Sequence, residues 1–168
     1  QSPAFPQEAF LDILANYNAD SLTGSAVNYG VVWTGTEFAV SLFNLPTMHR
    51  ISATGAYLGS FTITGTPLTA AQGFRDMEYH NGFLYGSPNT NVIHKVDYAT
   101  KTHVSTITLP TGTLARGLAY DPVRDGFWSS TFGGNISCYS ATTGALIPGA
   151  VITNADAGKH GLAYDNRT

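Results

Sequence analysis

The sequence predicts an all-β fold: a β-propeller of four-stranded antiparallel blades, with three blades and flanking strands present. Three observations carry this. A four-strand unit starts at Gly30, Asp76 and Gly117 and begins again at Gly161, at offsets of 46, 41 and 44 residues, which is the spacing of propeller blades. The strands are short, rich in Val, Ile, Tyr, Phe and Thr, and separated by Gly, Asn and Pro turns. Only 11% of the residues are charged, against about 25% in a typical globular chain, and the Lys and Glu runs that favour helix are absent.

Residues 9–18, "AFLDILANYN", read as an extended outer strand of the kind that seals a ring; a short helix over "QEAFLDILAN" is the other reading. The stretch "ADSLTGSAVN" then leads into the first inner strand. The first blade covers 30–67, with strands in "GVVW", "FAVSLF", "MHRISA" and "YLGSFTI". The second covers 76–110, with "DMEY", "FLYGSP", "VIHKVDY" and "HVSTITL", and the third covers 117–152, with "GLAY", "FWSSTF", "NISCYSA" and "ALIPGAV". Residues 161–168, "GLAYDNRT", restate the opening of the third blade and read as the first strand of a further one. Gly117, Ala119, Gly161 and Ala163 are small enough for the innermost strands, where blades crowd the axis.

One twisted sheet buries neither of its faces, and stacking sheets around an axis covers both. A three-blade arc therefore leaves an apolar face at each end, and covering one would contribute on the order of 10 kcal/mol. The expectation is an incomplete ring, the amino-terminal part of a larger propeller, with its open faces covered by the missing half or by a partner protein.

A net charge of −3 offers no electrostatic basis for binding nucleic acid or an anionic membrane, and no apolar run approaches the length that spans a bilayer. A chain that opens at Gln1 fits removal of a signal peptide. The single cysteine, Cys138, lies within a strand and reads as a buried, inert thiol.

The segments "FRDMEYHNGFLYGSPNTNVIHKVDYATKTHVSTI" and "ARGLAYDPVRDGFWSSTFGGNISCYSATTGALI" resemble the secreted propellers of Bacteroidota, and the likeness extends over roughly residues 9–168. The resemblance implies an extracellular or cell-surface protein exported as type IX secretion cargo, although the sorting domain of those proteins has no counterpart in this sequence. It also makes "DSL" a candidate O-glycosylation site at Ser21. "NIS" at Asn135 and "NRT" at Asn166 match the N-glycosylation pattern, which a bacterial origin would leave silent.

One positional pattern points to a ligand. Arg75, Arg116 and His160 directly precede three inner strands, which would gather them at one mouth of the central channel. Such cationic donors suit a carboxylate, phosphate or sulfated sugar. The other reading is that they tie blades together, and Tyr29 at the same place in the first blade favours it. His49, His80, His94, His103 and His160 lack the spacing of a zinc site; His49 and His94 share a third-strand position and are expected on the blade surface. Asp121 and Asp125 in "DPVRDG" read as turn residues, and Trp128, Phe132 and Tyr139 as blade packing or a sugar platform. No cofactor is expected. These readings make the chain a non-enzymatic module for recognition or scaffolding, with protein, secretion machinery, glycan or an anion as partners. The alternative is an extracellular propeller enzyme of lactonase, lyase or glycan-hydrolase type, with its site at the channel mouth.

Overall fold

A computed structural model describes residues 15–65, 73–153 and 161–165. Twelve strands form three separate four-stranded antiparallel sheets, each built from strands consecutive in the chain. The first sheet contains β1 (Asn28–Trp33), β2 (Glu37–Leu42), β3 (Leu45–Ser52) and β4 (Tyr57–Thr62). The second contains β5 (Asp76–His80), β6 (Phe83–Ser87), β7 (Val92–Asp97) and β8 (Thr102–Thr108). The third contains β9 (Gly117–Asp121), β10 (Gly126–Ser130), β11 (Ile136–Ser140) and β12 (Leu146–Ile152).

The inner strands β1, β5 and β9 lie side by side in that order, so the sheets radiate from a common hub. Two apolar cores fill the wedges between sheets. Ala39, Met48 and Ile63 of the first sheet's unit meet Phe74, Met77, Leu84 and Val96. Ile93, Ile107 and Leu109 meet Ala115, Leu118 and Phe127. The hydrophobic alternation of each strand is thus spent between sheets rather than within one. At the outer rim, Thr64 and Thr102 form a parallel bridge between the first two units.

Gly86 shows how tightly the first wedge is packed. A Cβ at this position would lie 2.4 Å from the Phe74 ring, so the absence of a side chain lets Phe74 lie over the second sheet and stack on His94, with ring centroids 6.0 Å apart.

Two sequence expectations need correction at the ends. The strand read at 9–18 falls mostly outside the described residues, and its described part, residues 15–18, is not strand. The chain instead makes a short helix, α1 (Ala19–Thr23), where a plain connection was expected. Its signals are ordinary ones: Asn18 accepts a hydrogen bond from the Ser21 amide, and Gly24 ends the helix at φ 69°. The described part of the last strand read from the sequence, Gly161–Asp165, also joins no ladder. It nevertheless lies beside β9, since a Cβ on Gly117 would touch the Leu162 side chain at 2.8 Å.

Candidate functional site

Gly30, Asp76, Gly117 and Gly161 occupy equivalent places in the repeat, and the one carboxylate among them reaches across the space the glycines leave. Asp76 Oδ2 accepts from the backbone N–H of Leu118 at 2.8 Å and of Leu162 at 3.1 Å. Its Oδ1 accepts from Met77 N–H at 2.9 Å. One side chain therefore holds the next inner strand and the segment after it. Glu78 repeats the device one step down β5, accepting from Tyr120 N–H at 3.4 Å and from Tyr79 N–H at 3.2 Å.

Desolvation at the hub pushes the Asp76 carboxyl up to about 6, against the pull of its three amide donors. Desolvation also raises Glu78, and the nearby Asp76 adds to the rise. The sign for stability follows. The native state takes up a proton near pH 6 while the unfolded chain waits until about 3.8, so this contribution grows as pH falls through that window and is lost as pH rises through 6. Its full span is at most about 3 kcal/mol. Chemical denaturation of wild type and Asp76→Asn across pH 7.5 to 4 follows it, together with the change at Glu78 that loss of the neighbouring Asp76 charge brings. The stability difference between them is expected to shift in favour of wild type on acidification. A difference that stays flat would show that Asp76 titrates as an ordinary carboxylate.

Above the hub lies a rim of cations and rings. The Arg75 guanidinium carbon sits 3.6 Å from the centre of the Phe43 ring and 5.2 Å from that of Tyr29, and its Nη2 donates to Asn44 Oδ1 at 2.9 Å. The Arg116 guanidinium lies 3.5 Å over Phe132 and donates to the Tyr29 hydroxyl at 3.3 Å. Arg75, Arg116 and Tyr29 thus come together, and Tyr29 belongs to the cluster it seemed to interrupt. Neither arginine pairs with Asp76, but each reaches across to the first blade, Arg75 at Asn44 and Arg116 at Tyr29, as a blade-tying role would have it. His160 lies outside the described residues. Ser21 is exposed on α1. Tyr29, Gly30, Val31, Arg75, Asp76 and Gly161 line a cleft of about 450 Å3 at this mouth.

The other candidates resolve into structure. Asp121 is buried and accepts from Val123 N–H, Arg124 N–H, Arg124 Nη1 and Trp128 Nε1, so "DPVRDG" is a turn. His49 and His94 are buried, not on the blade surface as expected. His49 pairs with Tyr57 Oη at 2.9 Å and His94 with His103 at 3.3 Å, and burial holds His94 down to about 4. Cys138 is buried, and that burial pushes its thiol up to about 11. Among the described residues no three His, Cys, Asp or Glu side chains converge as metal ligands.

No protein-family model and no curated protein sequence matches the chain. Solved structures do. The chain is similar to the WD40 repeats of RRP9 at a TM-score of 0.60 and 13% identity, over 84% of this chain and 43% of that one. U3-55K gives 0.60 and 14%, over 84% and 44%. WD40 repeats are propeller blades. The fold is a β-propeller. A further likeness is to the glutaminyl cyclase of Myxococcus xanthus, at 0.63 and 12%, over 83% of this chain and 64% of that one. The chain therefore spans about two fifths of the length of the first and second structures and just under two thirds of the third. At these identities the likeness carries the propeller fold and nothing of function.

Proposed function

We propose that the chain is a non-enzymatic recognition or scaffolding module of a propeller, and that a protein surface covers its open blade faces. One observation carries the reading. Val31, Met77 and Leu118 are repeat equivalents; Met77 and Leu118 are 3% and 1% exposed, under the preceding blade, whereas Val31 is 57% exposed. Tyr29 and Trp33 flank it on the same face and are exposed too. At the other end, Trp128, Ile136 and Ile152 line a second cleft, only partly covered by Leu162–Asp165. Apolar surface of this kind marks an interface. The cover is the remainder of the same propeller or a separate partner chain. Export to the outside of the cell as type IX cargo is part of this proposal, supported by the resemblance to secreted Bacteroidota propellers and by the low surface charge.

Recognition is favoured over catalysis by the state of the inner-strand carboxylates. Asp76 and Glu78 hold backbone amides, so their oxygens are committed as acceptors within the fold.

The test is physical. In sedimentation velocity the isolated chain is expected to self-associate through the first blade, and Val31→Glu with Trp33→Glu is expected to make it monomeric. An intact mass of the natural polypeptide then separates the two covers: far above 17.8 kDa for a longer propeller, or that value with a stoichiometric second chain for a partner. A natural polypeptide of that mass that stays monomeric at high concentration, alone, would sink the proposal.

A further inference from the structure

We propose that Arg75 and Arg116, with Tyr29 between them, bind the carboxylate of an acidic saccharide at the channel mouth. This rests on the recognition reading above and supplies its ligand class.

Two guanidinium groups share one rim, and among the described residues neither has a carboxylate partner; the ion pairs lie elsewhere, at Arg50–Glu37 and Arg124–Asp121. Burial first, and then the neighbouring Arg116 charge, make the Arg75 cation harder to hold. An anion placed between the arginines relieves that repulsion. Arg75 Nε and Nη1 are buried without a hydrogen-bond partner, so an anion reaching them would satisfy an orphaned fork. Among the described residues the Arg116 side chain makes a single, long hydrogen bond, to Tyr29 Oη. Both guanidinium groups are held over rings, so binding an oxyanion costs less further freedom than it would for two loose side chains.

Among the described residues Asp76 is the one negative group lining this cleft. Its oxygens face the amides of Met77, Leu118 and Leu162, so it forms part of the floor below the rim. The ligand's carboxylate belongs on the arginine side.

The surroundings favour a sugar over a peptide. An extended peptide would pair with main-chain groups, and three of the local donors are already spent: Gly30 N–H on Ser41 Oγ, Arg75 N–H on Ser87 O, and Arg116 N–H on Ser130 O. The mouth offers ring surface instead, with Tyr29 and Phe43 each 39% exposed and their centroids 5.3 Å apart. Apolar ring surface beside a guanidinium fork suits a pyranose that carries a carboxylate.

Calorimetric titration of the full chain with trigalacturonate tests this. One saturable site is expected, and galactotriose, which lacks the carboxylates, is expected not to bind. Arg116→Gln should weaken binding by about tenfold or more, the loss of one charge-assisted hydrogen bond, and Arg116→Lys by less. Arg75→Gln should act in the same direction. Because Arg75 also ties to Asn44, Arg116→Gln on the rim decides the matter if the Arg75 variant does not fold. Absence of binding, or affinity unchanged in Arg116→Gln, overturns the proposal. Equal, arginine-dependent binding of triglutamate overturns the saccharide assignment. Either failure leaves the self-association test of the open face standing, so the two proposals fall separately.

Discussion

Phe127→Ala is expected to lower the unfolding free energy by about 3–5 kcal/mol, a large part of the about 5–15 kcal/mol that a domain has in total. Phe127 is fully buried at the centre of the wedge between the second and third blades. Its ring centre lies 4.8 Å from that of Tyr85 in the second blade and 5.3 Å from that of Tyr120 in the third. Truncation removes the ring's transfer energy and leaves a cavity that two stiff sheets cannot close. Phe127→Leu should recover a substantial part of the loss, because it refills most of the volume. Denaturant titration of the three proteins measures both effects. A loss below about 1 kcal/mol for the alanine variant would mean that the wedge is not the packed core described here.

The second large effect is expected at Glu37. This buried carboxylate accepts two bonds from Arg50, Nε at 2.7 Å and Nη2 at 2.8 Å. It takes a third from the Tyr98 hydroxyl of the second blade at 2.6 Å. Glu37→Ala strands the Tyr98 hydroxyl and leaves the partly exposed Arg50 guanidinium to water, and the expected cost is about 2–3 kcal/mol. The network also sets a pH signature. The Arg50 bonds, followed by the Tyr98 bond, hold Glu37 below its ordinary value of 4.5 despite its burial. That stabilisation is present above about 4.5 and is lost as pH falls through the lowered native value. The destabilisation by Glu37→Ala should therefore shrink in acid. A double-mutant cycle with Tyr98→Phe should show coupling between the blades; additive effects would mean that the Tyr98 bond contributes nothing.

The difference between what was legible in the sequence and what was not is a matter of range. Turn signals such as "HNG" and "DPVRDG" act within a few residues, and alternation such as "VIHKVDY" acts along one strand, so the repeat and its four strands could be read directly. The hub could not. Asp76 reaches Leu118 and Leu162 over 42 and 86 residues, and Arg116 reaches Tyr29 over 87. Nothing local marks such pairings until the inner strands are brought side by side. A signal for Asp76 was present, as a carboxylate standing where three other repeats have glycine, but it gains meaning only once that row faces one axis. His49 and His94 were misplaced for a related reason: alternation assigns a residue to a face of the sheet, while the covering neighbour decides whether that face meets water. The short helix at Ala19–Thr23 carried its signals, Asn18 and Gly24, within a stretch too short for periodicity to be seen.

Every described sheet is closed within its own stretch of chain, with no strand lent from one to the next. The polypeptide path is consequently modular: duplication or deletion of one unit at a connecting segment adds or removes a wedge without rethreading its neighbours. Circumference can then drift over evolutionary time by gene-level copying, while the few side chains that bridge units decide which copy numbers stay rigid.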